Sequence, residues 1–123
     1  MHHHPGHTEG SSSYSMVVTL EDGQDYNVLI ANMGTINNGK KLTINPTYDG
    51  VAEDFISTYQ KQKQMEVDVW VAAHNSQYNM HEKYRSGQVY NPQTFVDPEG
   101  FLRAIEDLEK RYEDYVSAER SSN

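Results

Sequence analysis

From Tyr14 to Leu20 and again from Tyr26 to Ala31 the chain is rich in β-branched and aromatic residues, and Glu21, Asp22 and Gly23 separate the two runs. This pattern predicts a β-hairpin. The first run alternates as a half-covered strand does. Val28-Leu29-Ile30-Ala31 is continuously apolar and predicts a more central strand buried on both faces. Asn32 to Asp49 contains Gly34, Gly39, Pro46 and several asparagines, which predicts a long irregular loop. Loops of this length inside a compact domain commonly carry function, so this one is a candidate wall of a site.

Beyond the loop, Val51, Phe55, Ile56 and Tyr59 share one helical face and Asp49-Gly50 is positioned to open a helix over about 50–64. A short apolar strand, Val67 to Ala73, runs directly into His74, and a helix over about 76–85 follows, closed by Gly87. The last helix has the strongest signature. Asp97 can cap it, Pro98 occupies its first turn, and Phe101, Ile105, Leu108, Tyr112 and Tyr115 recur at four-three spacing to about residue 118. Hairpin, helix, strand, helix, helix is the order of an α/β layer: a mixed sheet with helices on one face. The other face is left uncovered, since no element remains to cover it.

A length of 123 residues fits one modest domain over 1–123, and 36% hydrophobic with 11% aromatic residues is globular rather than disordered. A net charge of −8 with no basic stripe excludes nucleic acid as a partner, because that affinity rests on Lys and Arg neutralising phosphates. No apolar run is long enough to span a membrane, and no charged-then-apolar leader marks a signal peptide. The chain has no cysteine, so a metal site has to be built from imidazoles and carboxylates. A dense motif follows Met1 almost at once, so the beginning reads as cut. Residues 1–4, with His2, His3 and His4, read as either native or the remnant of a tag or truncation, and carry no structural weight in this reading.

Two histidines stand out. In His4-Pro5-Gly6-His7-Thr8-Glu9-Gly10 a Pro-Gly turn holds the His7 imidazole rigidly, Thr8 can bond nearby backbone and Gly10 permits close chain approach. A metal ligand suits that geometry, and a surface histidine in a turn is the alternative. His74 sits at the carboxyl end of a strand, where α/β layers place ligands, with a helix-capping or core histidine as the alternative. His81, inside a helix, reads as exposed or packed. The carboxylates lie mostly on polar helix faces, so no catalytic residue is assigned among them. No phosphate loop, nucleophile elbow or Cys-His pair is present.

Pro5-Gly6-His7-Thr8-Glu9-Gly10 resembles the third metal motif of the metallo-β-lactamase superfamily. Val28 to Asn37 and Val69-Trp70-Val71-Ala72-Ala73-His74 extend the likeness to subclass B3 over essentially the whole chain. The resemblance implies the carboxy-terminal half of an αββα sandwich. It implies His7 as a ligand of the first of two zinc ions, His74 as a ligand of the second, and a substrate border formed by Met33, Thr35 and Asn37. Thr35 matches a hydroxyl that receives the β-lactam carboxylate, whereas Met33 departs from a serine found in several relatives. The family's His-X-His-X-Asp-His motif is not in this sequence. Each implied zinc therefore keeps one ligand here, and zinc binding is expected to be weak or incomplete.

The function implied is that of a fragment of a periplasmic or secreted zinc hydrolase. The intact parent opens β-lactam antibiotics through a zinc-bound hydroxide and confers resistance to them, while the fragment alone is expected to be inactive. The expected partners are the missing amino-terminal half or a second copy of the chain. The alternatives are a self-associating structural or binding module and another hydrolase of the superfamily, such as a lactonase or thioesterase.

Overall fold

The computed structural model describes residues 1–122, and Asn123, the last residue of the domain read from the sequence, lies outside them. The chain opens on a short strand, β1 (His2–His3), antiparallel to β2 (Ser12–Thr19). The predicted hairpin then turns at Leu20–Gln24, with Gly23 at a φ of 78°, into β3 (Asp25–Ala31). Helix α1 (Val51–Lys63) leads to β4 (Val69–Ala72), which lies parallel to β3, and the sheet order is β1-β2-β3-β4. A single 3₁₀ turn (Asn75–Tyr78), a one-turn helix α2 (Met80–Lys83) and the long helix α3 (Pro98–Ser121) complete the order.

The mixed sheet with its helices is the predicted α/β layer. Leu29 and Trp70, paired in register on β3 and β4, are fully buried against α1 and α3. Phe55, Tyr59, Phe101, Ile105 and Tyr112 supply the helical side of this core. Fully burying one side chain of this kind contributes about 1.5–3 kcal/mol, so the cluster is the main source of stability. The Asp97 side chain accepts from the Gly100 amide, which caps α3 as predicted. Pro98 fills a first-turn position whose missing N–H costs nothing.

Four local expectations are corrected. Ile30 is 44% exposed, so the apolar run of β3 is not buried on both faces along its length. Tyr14, Ile30 and Val71 line up across three strands, as do Met16, Val28 and Val69, leaving two apolar rows on the open side. Ile56 faces solvent, and Thr58 and Gln62 take the buried places on α1 instead. The helix predicted over 76–85 breaks at Asn79, whose φ of 55° ends one turn before the next begins, and Gly87 lies past its end. The last helix continues to Ser121, with Val116 rather than Tyr115 fully buried.

The largest correction concerns His2, His3 and His4, which are part of the sheet edge. His2 and His3 pair with Ser13 and Ser12, and His4 is only 3% exposed. Its Nδ1 meets the Ser13 hydroxyl at 2.7 Å and the Gln62 amide at 3.3 Å. One residue on, the Thr58 hydroxyl donates to the Pro5 carbonyl at 2.6 Å. The buried polar positions of α1 thus grip the chain just before the His7 motif.

Burial, followed by the charges of His2, Lys61 and His3, holds His4 well below its ordinary value of 6.5, at about 4. The folded state resists this proton and the unfolded state does not. The stabilisation from a neutral His4 is therefore complete above pH 6.5 and is lost as pH falls towards 4. The unfolding free energy, followed by denaturant titration, should drop over that window with a slope of at most roughly 1.4 kcal/mol per pH unit for one proton. A His4→Gln variant that keeps the same acid slope would show that another group is responsible.

Candidate metal and substrate site

Because β3 and β4 run parallel and end in register at Ala31 and Ala72, the segments that follow them leave the sheet at one edge. The first begins Asn32-Met33-Gly34-Thr35 and the second is Ala73-His74. The sheet therefore brings the loop that begins at Asn32 and the second histidine to the same side. The first histidine reaches that edge from the other direction. The Pro5-Gly6 turn lies over α1, where Gly6 adopts a φ of 137° and a Cβ would stand 2.7 Å from the Phe55 ring. Gly34 is equally confined: a Cβ there would stand 2.8 Å from the Tyr59 ring, whose hydroxyl donates to the Gly34 carbonyl at 2.6 Å. Gly10, expected to allow a close approach, has no neighbour within 4 Å of a Cβ, so Gly6 carries that role. Thr8 bonds through its hydroxyl to the Ser11 side chain at 2.9 Å rather than to backbone.

The half-buried His7 makes direct contact with Thr35. Its Nδ1 lies 2.8 Å from the Thr35 carbonyl oxygen and 3.1 Å from the Thr35 hydroxyl. A carbonyl can only accept, so the Nδ1 position carries the proton and the Nε2 lone pair is left available to a ligand. Zinc-binding histidines are oriented in this way, with the far nitrogen tied to a carbonyl or carboxylate. The Thr35 hydroxyl, accepting from the same N–H, keeps its own proton to donate.

His74 is exposed at the end of β4, and its backbone brackets Gln77: its amide donates to the Gln77 side chain at 3.3 Å and its carbonyl accepts the Gln77 amide at 3.0 Å. Met33 is buried, 6% exposed, and with Thr35 it lines a cleft of about 730 Å³ between α3 and the segment around Gln77 and Lys83. His7, His74 and Asn37 are not among the residues lining this cleft. Asn37 is exposed further along the loop. His81 is exposed.

As donors, the two imidazoles suit zinc, and the tethered His7 ring fits it by geometry as well as by type. Among the described residues no group of three or more His, Cys, Asp or Glu side chains is placed to hold a metal.

Sequence reasoning missed Lys40 and the two α3 residues behind it. The Lys40 ammonium donates to the His7 carbonyl at 2.8 Å, and the Tyr115 hydroxyl donates to the Lys40 carbonyl. Glu119 clamps the next turn of the loop, accepting from the amides of Leu42, Thr43 and Ile44 and from the Thr43 hydroxyl. Desolvation pushes the Glu119 carboxyl up, but the Thr43 hydroxyl and these amides overcome it and hold the carboxyl down at about 2. A buried aromatic period on α3 was legible, but a carboxylate at its end gave no sign of a partner some 75 residues away.

No protein-family model matches the chain, and no curated sequence matches it significantly. Solved structures do. The class B3 di-zinc metallo-β-lactamase LRA-12 from an Alaskan soil metagenome is 43% identical with a TM-score of 0.83, over 91% of this chain and 42% of that one. The metallo-β-lactamase GOB-18 from Elizabethkingia meningoseptica is 39% identical with a TM-score of 0.84, over 94% and 43%. BJP-1, a subclass B3 metallo-β-lactamase of Bradyrhizobium japonicum, is 27% identical with a TM-score of 0.89, over 98% and 45%. The chain thus spans less than half the length of these relatives. Over nearly all of its own length the chain thus matches subclass B3 metallo-β-lactamases, and it corresponds to the carboxy-terminal half of their fold.

Proposed function

We propose that this chain is the carboxy-terminal half of a zinc-dependent hydrolase that opens the β-lactam amide bond. The observation that carries the reading is the His7–Thr35 contact, which fixes the imidazole with Nε2 available and leaves a hydroxyl proton beside it. His7 is the donor to the first zinc and His74 the donor to the second. When bound, zinc supplies Lewis acidity and acidifies water at neutral pH. The chain's residues orient rather than react: Thr35 donates to the carboxylate of the β-lactam, and Met33 and Asn37 border it. With one donor per metal, the chain alone is inactive on this reading. The whole protein acts in the periplasm or outside the cell and confers antibiotic resistance. Among the described residues no helix is long and apolar enough to cross a membrane.

The test is reconstitution. This chain is mixed with the amino-terminal half of LRA-12, which brings the missing donors, and nitrocefin turnover is followed with and without a zinc chelator. Chelator-sensitive turnover that neither half has alone is expected. A stable complex that takes up two zinc ions and leaves nitrocefin intact would sink the β-lactam reading and favour a lactonase or thioesterase.

The two apolar rows on the open sheet face favour a second reading, in which two copies of the chain cover each other. Sedimentation of the purified chain should then show dimers that dissociate when the amino-terminal half is added. A clean monomer at high concentration would remove this reading.

A further inference from the structure

We propose that Lys40 is a positioning residue for His7, transmitting the rigidity of α3 to the imidazole. This rests on His7 being a zinc donor, as proposed above. Two features set the contact apart from an ordinary surface lysine. In a chain with a net charge of −8, the Lys40 ammonium is directed at a neutral carbonyl, that of His7, at 2.8 Å. Among the described ion pairs it takes part in none. Its side chain also crosses the Tyr48 ring, with Nζ 5.7 Å from the centroid, and the Tyr48 hydroxyl is anchored to Asp54 on α1 at 2.9 Å.

Lys40 is held equally firmly at its backbone, where the Tyr115 hydroxyl donates to its carbonyl and Glu119 fixes the three residues that begin two positions later. One residue therefore joins two helices to the histidine from behind. Thr35 reaches the same histidine from the front, at the ring. A ring bond alone lets the backbone of a glycine-flanked turn swing and carry the imidazole with it. A charged donor on the His7 carbonyl removes that freedom, as hydrogen bonds from charged groups are the stronger kind. Outer-shell partners of metal ligands are commonly worth about 10–100-fold in metal affinity, and Lys40 acts on the ligand's main chain in the same way.

The experiment uses the full chain, with ¹⁵N-labelled histidine and zinc as the only added probe. In the metal-free chain the His7 ring should show a single Nδ1–H tautomer with a slowly exchanging proton. Zinc is then titrated and followed at the His7 and His74 ring nitrogens separately, so binding at His2 to His4 does not interfere. Lys40→Met, which keeps the stem and loses the donor, should average the His7 tautomers and raise its zinc midpoint roughly tenfold while leaving the His74 midpoint in place. Lys40→Arg, which keeps a donor, should stay within about twofold of the original. A folded Lys40→Met chain with unchanged His7 tautomer and midpoint overturns the proposal, as does an equal shift at His7 and His74. If zinc never perturbs His7 in the unaltered chain, the zinc-donor reading of His7 fails. The tautomer comparison still decides whether Lys40 positions the ring.

Discussion

In the complex of this chain with the amino-terminal half of LRA-12, His7→Ala is expected to remove nearly all nitrocefin turnover together with the first zinc, and His74→Ala to do the same through the second. A catalytic zinc commonly has three protein donors and an open position, so deleting one donor costs affinity and geometry at once. The loss should exceed the roughly 10–100-fold that follows removal of a mere outer partner. Thr35→Ala should behave differently. The bond that holds the His7 ring at 2.8 Å goes to the Thr35 main-chain carbonyl, which alanine keeps. Both metals should remain, and the damage should fall on KM rather than kcat, if the lost hydroxyl binds substrate as proposed. Zinc content and turnover measured on the same samples separate the three outcomes. Full zinc and full turnover in both histidine variants would end the ligand assignment, while a Thr35→Ala complex stripped of one zinc would move Thr35 from substrate binding to metal support.

Gly6→Ala is the substitution expected to do most harm to the fold. At a φ of 137° an L-residue is strained, which costs about 1–3 kcal/mol. The new methyl would also stand 2.7 Å from the Phe55 ring, in a helix face that is fully buried. Overpacking of this kind adds about 1–3 kcal/mol. Against total stabilities that are commonly about 5–15 kcal/mol, the sum should remove a large share of the folding free energy and lower the melting temperature sharply. Gly10→Ala, in the same motif with nothing within 4 Å, is the control and should melt within a few degrees of the original chain. Equal melting of the two variants would mean that the Pro5-Gly6 turn is free to move away from α1.

What the sequence reveals and what it hides divide along the distance between partners. The hairpin, α1 and α3 were legible because turn residues, helical periods and the Asp97 cap act over a few positions. The break at Asn79 was hidden because left-handed backbone at an asparagine is chosen by context, and here the residue before it, Tyr78, packs against Trp70. His2 to His4 looked like an appendage because nothing near them calls for a strand. Their partners, Ser12, Ser13 and Gln62, are 9 to 58 residues away. The candidate site residues were chosen by type and order: a histidine after Pro-Gly, a histidine after a strand, a threonine in the loop between. The contact between His7 and Thr35, and the lysine behind it, become visible only once residues 28 and 33 positions apart have been brought together.

The parallel pairing of β3 with β4 also sets an order of assembly. The β2–β3 hairpin closes through a turn of a few residues and can form within microseconds. Val28 meets Val69 only after the whole loop and α1 have crossed between them, so that contact pays a far larger loop-closure entropy. His74 reaches the common edge only with that late contact, whereas the His7 turn is joined to the early hairpin through β1 and β2. During folding the His7 turn should therefore be attached to the hairpin before His74 reaches the common edge.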